Sequence, residues 1–196
     1  MRVERLRLMP TPEQMAAMYP APHDHRIYGR GHDERVEATI TLAKANIPSW
    51  ERTVVADLSC GNGEIARRIW TGAPDDLHLG DYAGWVAQPG ENGYTGAVEQ
   101  TIFDLPHVDA YVCSETIEHL DDPGKVLALA RSKADHLVLS TPIECWDDYN
   151  SEHLWAWDRE GVEDLLKRTG WRPFAFDSVD SREYNEPYWY GIWVCS

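Results

Sequence analysis

A carboxylate followed at once by a glycine turn is the feature of this sequence that most directly suggests chemistry. Residues 54–65 read VVADLSCGNGEI, in which Asp57 ends an apolar run and Gly61 and Gly63 follow. Glycines lack a Cβ atom, so a ligand can approach the backbone of such a turn closely. The helix expected next would point its N–H groups and its positive dipole end at that ligand. Asp81 ends the next apolar run, where its carboxylate can accept hydrogen bonds from ribose hydroxyls.

Two classes of cofactor fit this arrangement. Gly61, Gly63 and Ala66 formally match the glycine fingerprint of dinucleotide-binding folds, which would suit an NAD(P)-dependent oxidoreductase. A pyrophosphate is anionic, however, so the carboxylate of Asp57 beside the turn would repel it. S-adenosylmethionine instead carries a sulfonium and an ammonium group, which a carboxylate attracts directly or through water. We therefore expect S-adenosylmethionine, with a nicotinamide dinucleotide as the alternative.

Strands and helices alternate along the chain around this turn. Apolar runs predict strands at 53–59, 77–79, 98–102, 109–114, 136–140, 174–179 and 188–194. Apolar residues at helical spacing predict helices at 33–46, 64–70, 124–133 and 159–169, and residues 11–14 have the form of a helix start. This alternation predicts an α/β fold with a mostly parallel sheet covered by helices on both faces. Ligands of such sheets bind beyond the carboxyl ends of the strands.

The composition excludes several classes of function. A chain of 196 residues fits one domain with an ample core, and its net charge of −15 repels phosphate backbones, so a nucleic-acid partner is unlikely. The four cysteines are scattered and form no CxxC pair, which argues against a zinc ribbon or a disulfide framework. No apolar run is long enough to span a membrane. We expect a cytoplasmic protein.

The sequence resembles the class I S-adenosylmethionine-dependent methyltransferases. The segments VVADLSCGNGEIA, LHLGDYA, VDAYVCSETIEHLDDP and HLVLSTP carry the resemblance through their order and spacing. It implies a Rossmann-like, doubly wound sheet of seven strands, mostly parallel with an antiparallel last strand. Residues 1–50 would form an N-terminal helical lid, and residues 51–196 the S-adenosylmethionine-binding domain. The implied activity is methyl transfer to oxygen or nitrogen of a small molecule, with a non-catalytic cofactor-binding partner protein as an alternative; a dimer is possible.

The resemblance assigns cofactor-binding roles to seven residues. These are Asp57, Ser59, Gly61, Gly63, Asp81, Asp104 and Leu105. Ser59 stands where the family usually has glycine, so its side chain would narrow the turn. Asp104 would accept a hydrogen bond from the adenine amine, and the Leu105 N–H would donate to the ring. Alternatively, Asp104 only opens a turn before Pro106.

Candidates for catalysis lie on two turns after predicted strands. Methyl transfer needs a nucleophile aligned with the methyl group, and a general base only where that nucleophile arrives protonated. The segment SETIEHLDDP contains Glu115 and His119, of which His119 is the better candidate for a base or for a substrate contact. His153, in the polar and aromatic loop 140–158, is the second candidate for a base. The alternatives are a histidine that caps a local helix and a loop that is merely solvated.

Substrate contacts are expected from the same loop and from the N-terminal lid. Glu144 and Asn150 are the candidates in the loop. The segment 23–36 would form a lid over the cofactor, in which Tyr28 packs and Arg26 or Arg30 meets a carboxylate. Alternatively, this segment is a helix that merely covers the sheet.

Histidines in the lid do not predict a metal site. His23 and His25 would point to opposite sides of an extended chain, and neither Asp24 nor His32 adds a tight ligand spacing. We therefore predict no metal ion from the sequence.

Overall fold

The computed structural model describes residues 1–20, 29–48, 53–83 and 88–196. Nine strands lie within these ranges: β1 (Val3–Arg5), β2 (Val55–Asp57), β3 (Leu77–Asp81), β4 (Asn92–Thr95), β5 (Val108–Ser114), β6 (Ala134–Ile143), β7 (Trp155–Trp157), β8 (Pro173–Asp180) and β9 (Trp189–Cys195). The α-helices are α1 (Pro12–Met18), α2 (Arg30–Asn46), α3 (Glu64–Ile69), α4 (Val98–Thr101), α5 (Pro123–Lys133) and α6 (Arg159–Arg168).

Seven of these strands form one sheet in the order β4-β3-β2-β5-β6-β9-β8. Strands β2 to β6 pair in parallel, and β9 lies antiparallel to both β6 and β8. The predicted mostly parallel, doubly wound sheet with an antiparallel last strand is confirmed. From β2 the chain adds β3 and β4 on one side and then β5 and β6 on the other, so the strand order reverses between β2 and β5. A crevice for a ligand is expected at this reversal.

Helices cover both faces of the sheet. On one face, α2 and α3 bury Val36, Ile40 and Ile65 against the sheet. On the other face, α4, α5 and α6 pack against it through residues such as Leu127 and Leu166. Among the described residues, no helix is long and apolar enough to cross a lipid bilayer.

One predicted strand is wrong, and three strands were not predicted. The strand predicted at 98–102 is wrong, because Val98–Thr101 forms α4 and places Val98 and Ile102 four residues apart on one buried face. The third strand of the sheet is instead β4, whose NGYT sequence lacks the apolar run used to predict strands. A second sheet of two strands was also not predicted: β1 pairs with β7, and Val3 lies opposite Trp157.

The N-terminal segment begins as predicted and is fixed to the loop after β6. The Thr11 hydroxyl accepts a hydrogen bond from the Gln14 N–H at 3.3 Å, and the Gln14 side chain accepts from the Thr11 N–H at 2.8 Å. This reciprocal cap starts α1 at the predicted position. β1 pairs with β7, and Arg7 Nη1 donates to the His153 carbonyl in the loop after β6 at 2.8 Å, which keeps α1 beside the sheet's carboxyl edge.

Within β9, the Trp193 ring packs closely against the backbone of Gly191, which gives a test of the core packing. A Cβ atom at Gly191 would overlap the fully buried ring of Trp193. Replacement of Gly191 by Ala should therefore lower the free energy of unfolding by about 1–3 kcal/mol, measured by urea denaturation. The matched change Gly124→Ala, within α5, meets its nearest side-chain atom at 3.3 Å and should cost little. Equal losses in both variants would contradict the packing described here.

Candidate functional site

A pocket of about 680 Å³ opens at the carboxyl ends of β2, β3 and β5. The turn after β2, the end of β3 and the turn after β5 form its floor. Residues of the N-terminal segment, including Met15 and Tyr19, form one wall, and the loop after β6 forms another. The pocket therefore lies at the strand-order reversal beside β2, where the fold predicts a ligand.

The glycine turn is held against the end of β3 by Asp81. The Gly61 N–H donates to Asp81 Oδ2 at 2.9 Å, and the Ala83 N–H lies 3.2 Å from Oδ1. Gly61 has φ 54° and Gly63 has φ 74°, a left-handed conformation that favours glycine. A carboxylate has about four acceptor positions. Asp81 therefore keeps acceptor capacity toward the pocket that it lines.

Asp57 lies beneath the turn rather than in the pocket. Its side chain is only 3% exposed, and its Oδ1 accepts from the Ser59 N–H at 3.2 Å. Burial, reinforced by the negative charge of Asp81, raises the pKa of Asp57 to about 8. Asp57 is thus largely protonated at neutral pH in this structure. Its side chain holds the turn. The structure does not support the expected attraction between a charged Asp57 and the ligand.

Ser59 uses its hydroxyl where the family usually has glycine. Its Oγ lies 2.6 Å from Thr116 Oγ1, which links the turn after β2 to the turn after β5. Both residues line the pocket. The Ser59 side chain thus joins two parts of the pocket floor.

Asp104 and Leu105 do not reach the pocket. Asp104 is exposed, and Leu105 is buried in the core with its carbonyl 2.7 Å from Lys133 Nζ. Residues 97–100, at the start of α4, form that part of the pocket wall instead. The prediction for Asp104 and Leu105 assumed a strand at 98–102. Because this segment is the helix α4, its N-terminal residues line the pocket, and Asp104 and Leu105 follow its other end.

Glu118 is a buried carboxylate beside the pocket. Its side chain is 1% exposed, and Oε2 accepts from Thr141 Oγ1 at 2.9 Å. Oε1 has no hydrogen-bond partner among the described residues and lies 3.8 Å from His119 Nε2. Burial and the neighbouring charge of Glu115 raise the pKa of Glu118 to about 8.

The two histidines chosen as candidates from distant segments come together. The rings of His119 and His153 meet edge to face, with their centroids 4.8 Å apart, and both line the pocket. His153 Nδ1 lies 2.6 Å from Asp148 Oδ2. Burial alone would lower the pKa of His153, but the hydrogen bond to Asp148 and the nearby carboxylates raise it overall.

Glu115 lies at the end of β5 in a strained conformation. It has φ 51°, lines the pocket and accepts from Ser140 Oγ at 3.0 Å. Burial raises the pKa of Glu115, and the charge of Arg35 opposes this shift. Arg35 is fully buried on α2 and donates to Ser114 Oγ at 2.5 Å. The sequence reasoning missed Arg35, although a charged residue next to Val36 on the apolar face of a helix was a usable signal.

The substrate candidates divide between pocket and surface. Asn150 lines the pocket. Glu144 is exposed and accepts from Trp146 Nε1 at 3.1 Å, while Arg30 forms an exposed ion pair with Glu34 at 3.0 Å. Tyr28, together with His23, Asp24, His25 and Arg26, falls outside the described residues.

Tyr19 is a pocket residue that the sequence did not single out. Its hydroxyl lies 3.1 Å from Glu152 Oε2 and 3.4 Å from His119 Nδ1. The N-terminal segment therefore reaches the candidate catalytic histidines directly. No sequence motif marks Tyr19, because the contact depends on how α1 is placed over the sheet.

The pocket is acidic. The acids that line it are Asp81, Glu99, Glu115 and Glu152, and no lysine or arginine lies among its described lining residues. Such a surface attracts a cationic ligand and repels a phosphate or pyrophosphate.

Solved structures with the same fold are methyltransferases and a cyclase. Magnesium protoporphyrin IX methyltransferase from Synechocystis is 15% identical, with a TM-score of 0.63 over 84% of this chain and 83% of that one. The 1,6-didemethyltoxoflavin N1-methyltransferase of Burkholderia thailandensis is 14% identical, with a TM-score of 0.65 over 98% and 93%. The [4+2]-cyclase SpnF is 11% identical, with a TM-score of 0.68 over 96% and 97%. No protein-family model and no curated protein sequence matches the chain.

This chain has the class I S-adenosylmethionine-dependent methyltransferase fold. The neighbours act on different molecules, and at these identities the likeness establishes the architecture alone.

The buried Asp57 gives a pH test of the site. Its pKa rises from an ordinary value near 3.8 to about 8 on folding. The protonated carboxyl therefore stabilises the fold fully below the unfolded pKa, and this stabilisation is lost as the pH rises through 8. From pH 6 to pH 8 the loss from this residue is about 2 kcal/mol. Urea denaturation of Asp57→Asn should show a shallower fall over this range than the wild type. Identical pH profiles would contradict the burial of a titrating Asp57.

Proposed function

We propose that this chain is an S-adenosylmethionine-dependent methyltransferase that modifies oxygen or nitrogen of a small molecule. The observation that carries this proposal is an acidic pocket, with no base among its described lining residues, at the strand-order reversal of a methyltransferase fold. A sulfonium and an ammonium group are stabilised by such a surface. The solved neighbours with bound S-adenosylhomocysteine or S-adenosylmethionine support the same cofactor.

The cofactor would lie across the turn after β2. Asp81 would accept hydrogen bonds from the ribose hydroxyls, and the backbone around Gly61 would contact the methionine part. Ser59 would contribute its hydroxyl, while Asp57 and Gly63 hold the turn from behind. We assign the adenine to the wall formed by residues 97–100 in place of Asp104 and Leu105.

The acceptor would lie between the cofactor and the cluster of histidines. Its oxygen or nitrogen attacks the methyl carbon, the carbon–sulfur bond breaks, and S-adenosylhomocysteine and a proton are released. Glu115, His119 and His153 face this region and are our candidates to hold the acceptor or to receive its proton. Asn150 and Tyr19 line the same region and would help to orient it.

Alternative functions receive less support. A nicotinamide dinucleotide would place its pyrophosphate among carboxylates with no basic residue described in the pocket to neutralise it. The cyclase neighbour shows that this fold also serves other reactions, and a partner of a Trm112 activator from Haloferax volcanii shares it too. Only a methyl-transfer assay can therefore distinguish a catalytic role from a non-catalytic cofactor-binding role. A cytoplasmic location and the oligomeric state stay predictions.

Calorimetric titration with S-adenosylhomocysteine tests the cofactor. We expect micromolar affinity, and Asp81→Ala should weaken it at least about tenfold because two ribose hydrogen bonds to a charged acceptor are lost. Asp81→Asn keeps an acceptor for the Gly61 N–H and separates the loss of charge from collapse of the turn. The exposed Asp75→Asn is the control. Absence of binding by the wild type, or enhancement of NADH fluorescence in its place, would refute the proposal.

A transfer assay tests the activity. Methyl-labelled S-adenosylmethionine incubated with the protein and a small-molecule extract should give a labelled low-mass product, and Asp81→Ala should reduce its rate at a fixed cofactor concentration. Cofactor binding without label transfer to any extract would favour the non-catalytic alternative.

A further inference from the structure

We infer that Glu118, His119 and His153 form a binding site for a divalent transition-metal ion. One ligand atom from each side chain lies within 4.8 Å of the other two. Two imidazoles and one carboxylate are a donor set typical of Mn²⁺, Fe²⁺, Co²⁺ and Zn²⁺ sites, and hard Mg²⁺ and Ca²⁺ prefer oxygen alone. The sequence did not predict this site, because His153 lies far along the chain from the other two residues.

The carboxylate of Glu118 supplies a second, independent observation. Its Oε1 is buried without a hydrogen-bond partner among the described residues, while Oε2 is held by Thr141. A buried acceptor without a hydrogen-bond partner is destabilising. His119 Nε2, at 3.8 Å, is too distant to donate a hydrogen bond to it. A cation between Glu118 Oε1 and His119 Nε2 would give the Glu118 oxygen the partner that it lacks among the described residues.

Both histidines are oriented as metal ligands usually are. The Nδ1–H of His153 donates to Asp148 at 2.6 Å, and the Nδ1–H of His119 donates to the Glu152 carbonyl at 3.1 Å. Each hydrogen bond fixes a tautomer in which Nε2 carries the lone pair. Metal-ligating histidines characteristically donate their other N–H to a carboxylate or a carbonyl.

The ligand atoms must move closer together on binding. Metal bonds of about 2.1 Å in a tetrahedral site place neighbouring ligand atoms about 3.4 Å apart, so side chains whose ligand atoms now lie within 4.8 Å of one another would close by up to about 1.4 Å. Three protein ligands leave coordination positions open, and His119 and His153 line the pocket. The open positions would therefore face the space assigned to the acceptor.

A metal ion here would narrow the class of acceptor, a consequence that rests on the proposed function. A hydroxyl bound at an open position has its pKa lowered by the cation. The resulting alkoxide attacks the methyl carbon, the carbon–sulfur bond breaks, and the hydroxyl proton leaves to water. The acceptor atom would then be an oxygen that is able to ligate the metal.

Metal titration of the chelator-stripped protein tests the site without cofactor or acceptor. We expect one site for Mn²⁺ with micromolar affinity. Binding is measured as the decrease of the electron paramagnetic resonance signal of the free ion. Co²⁺ should give a visible spectrum typical of nitrogen and oxygen ligands. Glu118→Gln and His153→Asn should each weaken binding at least about tenfold. Asp148→Asn removes the charged partner of His153 Nδ1 while the side-chain amide oxygen can still accept from the Asn150 N–H, and it should weaken metal binding by about 10–100-fold.

His107→Gln is the matched control. His107 forms an exposed pair with Asp135 at 3.6 Å, so it reports on casual binding by a surface histidine and carboxylate. Circular dichroism and urea denaturation check the fold of each variant, and His119→Asn replaces any variant that unfolds. Wild-type protein without saturable binding, or binding that is unchanged in the folded cluster variants, would overturn the metal site, and loss of binding in His107→Gln would assign it to the surface instead. An intact metal site without cofactor affinity would refute the proposed function alone.

Discussion

Four carboxylates face a pocket in which the described residues place no lysine or arginine, and this imbalance governs the chemistry of the site. Like charges in a partly dry cavity raise the free energy of the empty protein. Burial raises the pKa of Glu115, and burial together with the charge of Glu115 raises the pKa of Glu118 beside the pocket, so dehydration as well as repulsion acts on these carboxylates. A cationic ligand lowers the electrostatic free energy of this pocket, and an anionic ligand raises it.

Parallel strands bring these groups to one edge of the sheet. Asp81 ends β3 and holds Gly61 of the neighbouring turn, so two adjacent strand ends are connected by one carboxylate. Ser59 and Thr116 connect β2 to β5 in the same way. The pairing of β1 with β7 brings α1 over this edge, which places Tyr19 beside the histidines. The pocket is thus formed by connections between segments that are distant in the chain.

The sheet order and the glycine turn could be predicted because they depend on local patterns. Apolar runs end in Asp57 and Asp81, and small residues follow the first of them, so hydrophobic periodicity and turn chemistry agree. The strand assigned to 98–102 failed because two apolar residues four apart suit a helix as well as a short strand. Edge strand β4 (NGYT) and the short β1 (VER) lack apolar runs, so tertiary pairing alone establishes them.

The site was predicted less completely than the fold. His119 and His153 were chosen separately, and only the structure shows that their rings touch. Burial of Asp57, which decides whether it carries a charge, depends on the packing above and below the turn. Arg35 and Tyr19 reach the site from elements whose placement no local pattern specifies.

A crystal structure with S-adenosylhomocysteine tests the central claim most directly. The account predicts the nucleoside in the crevice beside Gly61, with its ribose hydroxyls on Asp81 and its adenine against residues 97–100. An empty crevice at saturating nucleoside, or a nucleoside bound away from Asp81, would contradict it.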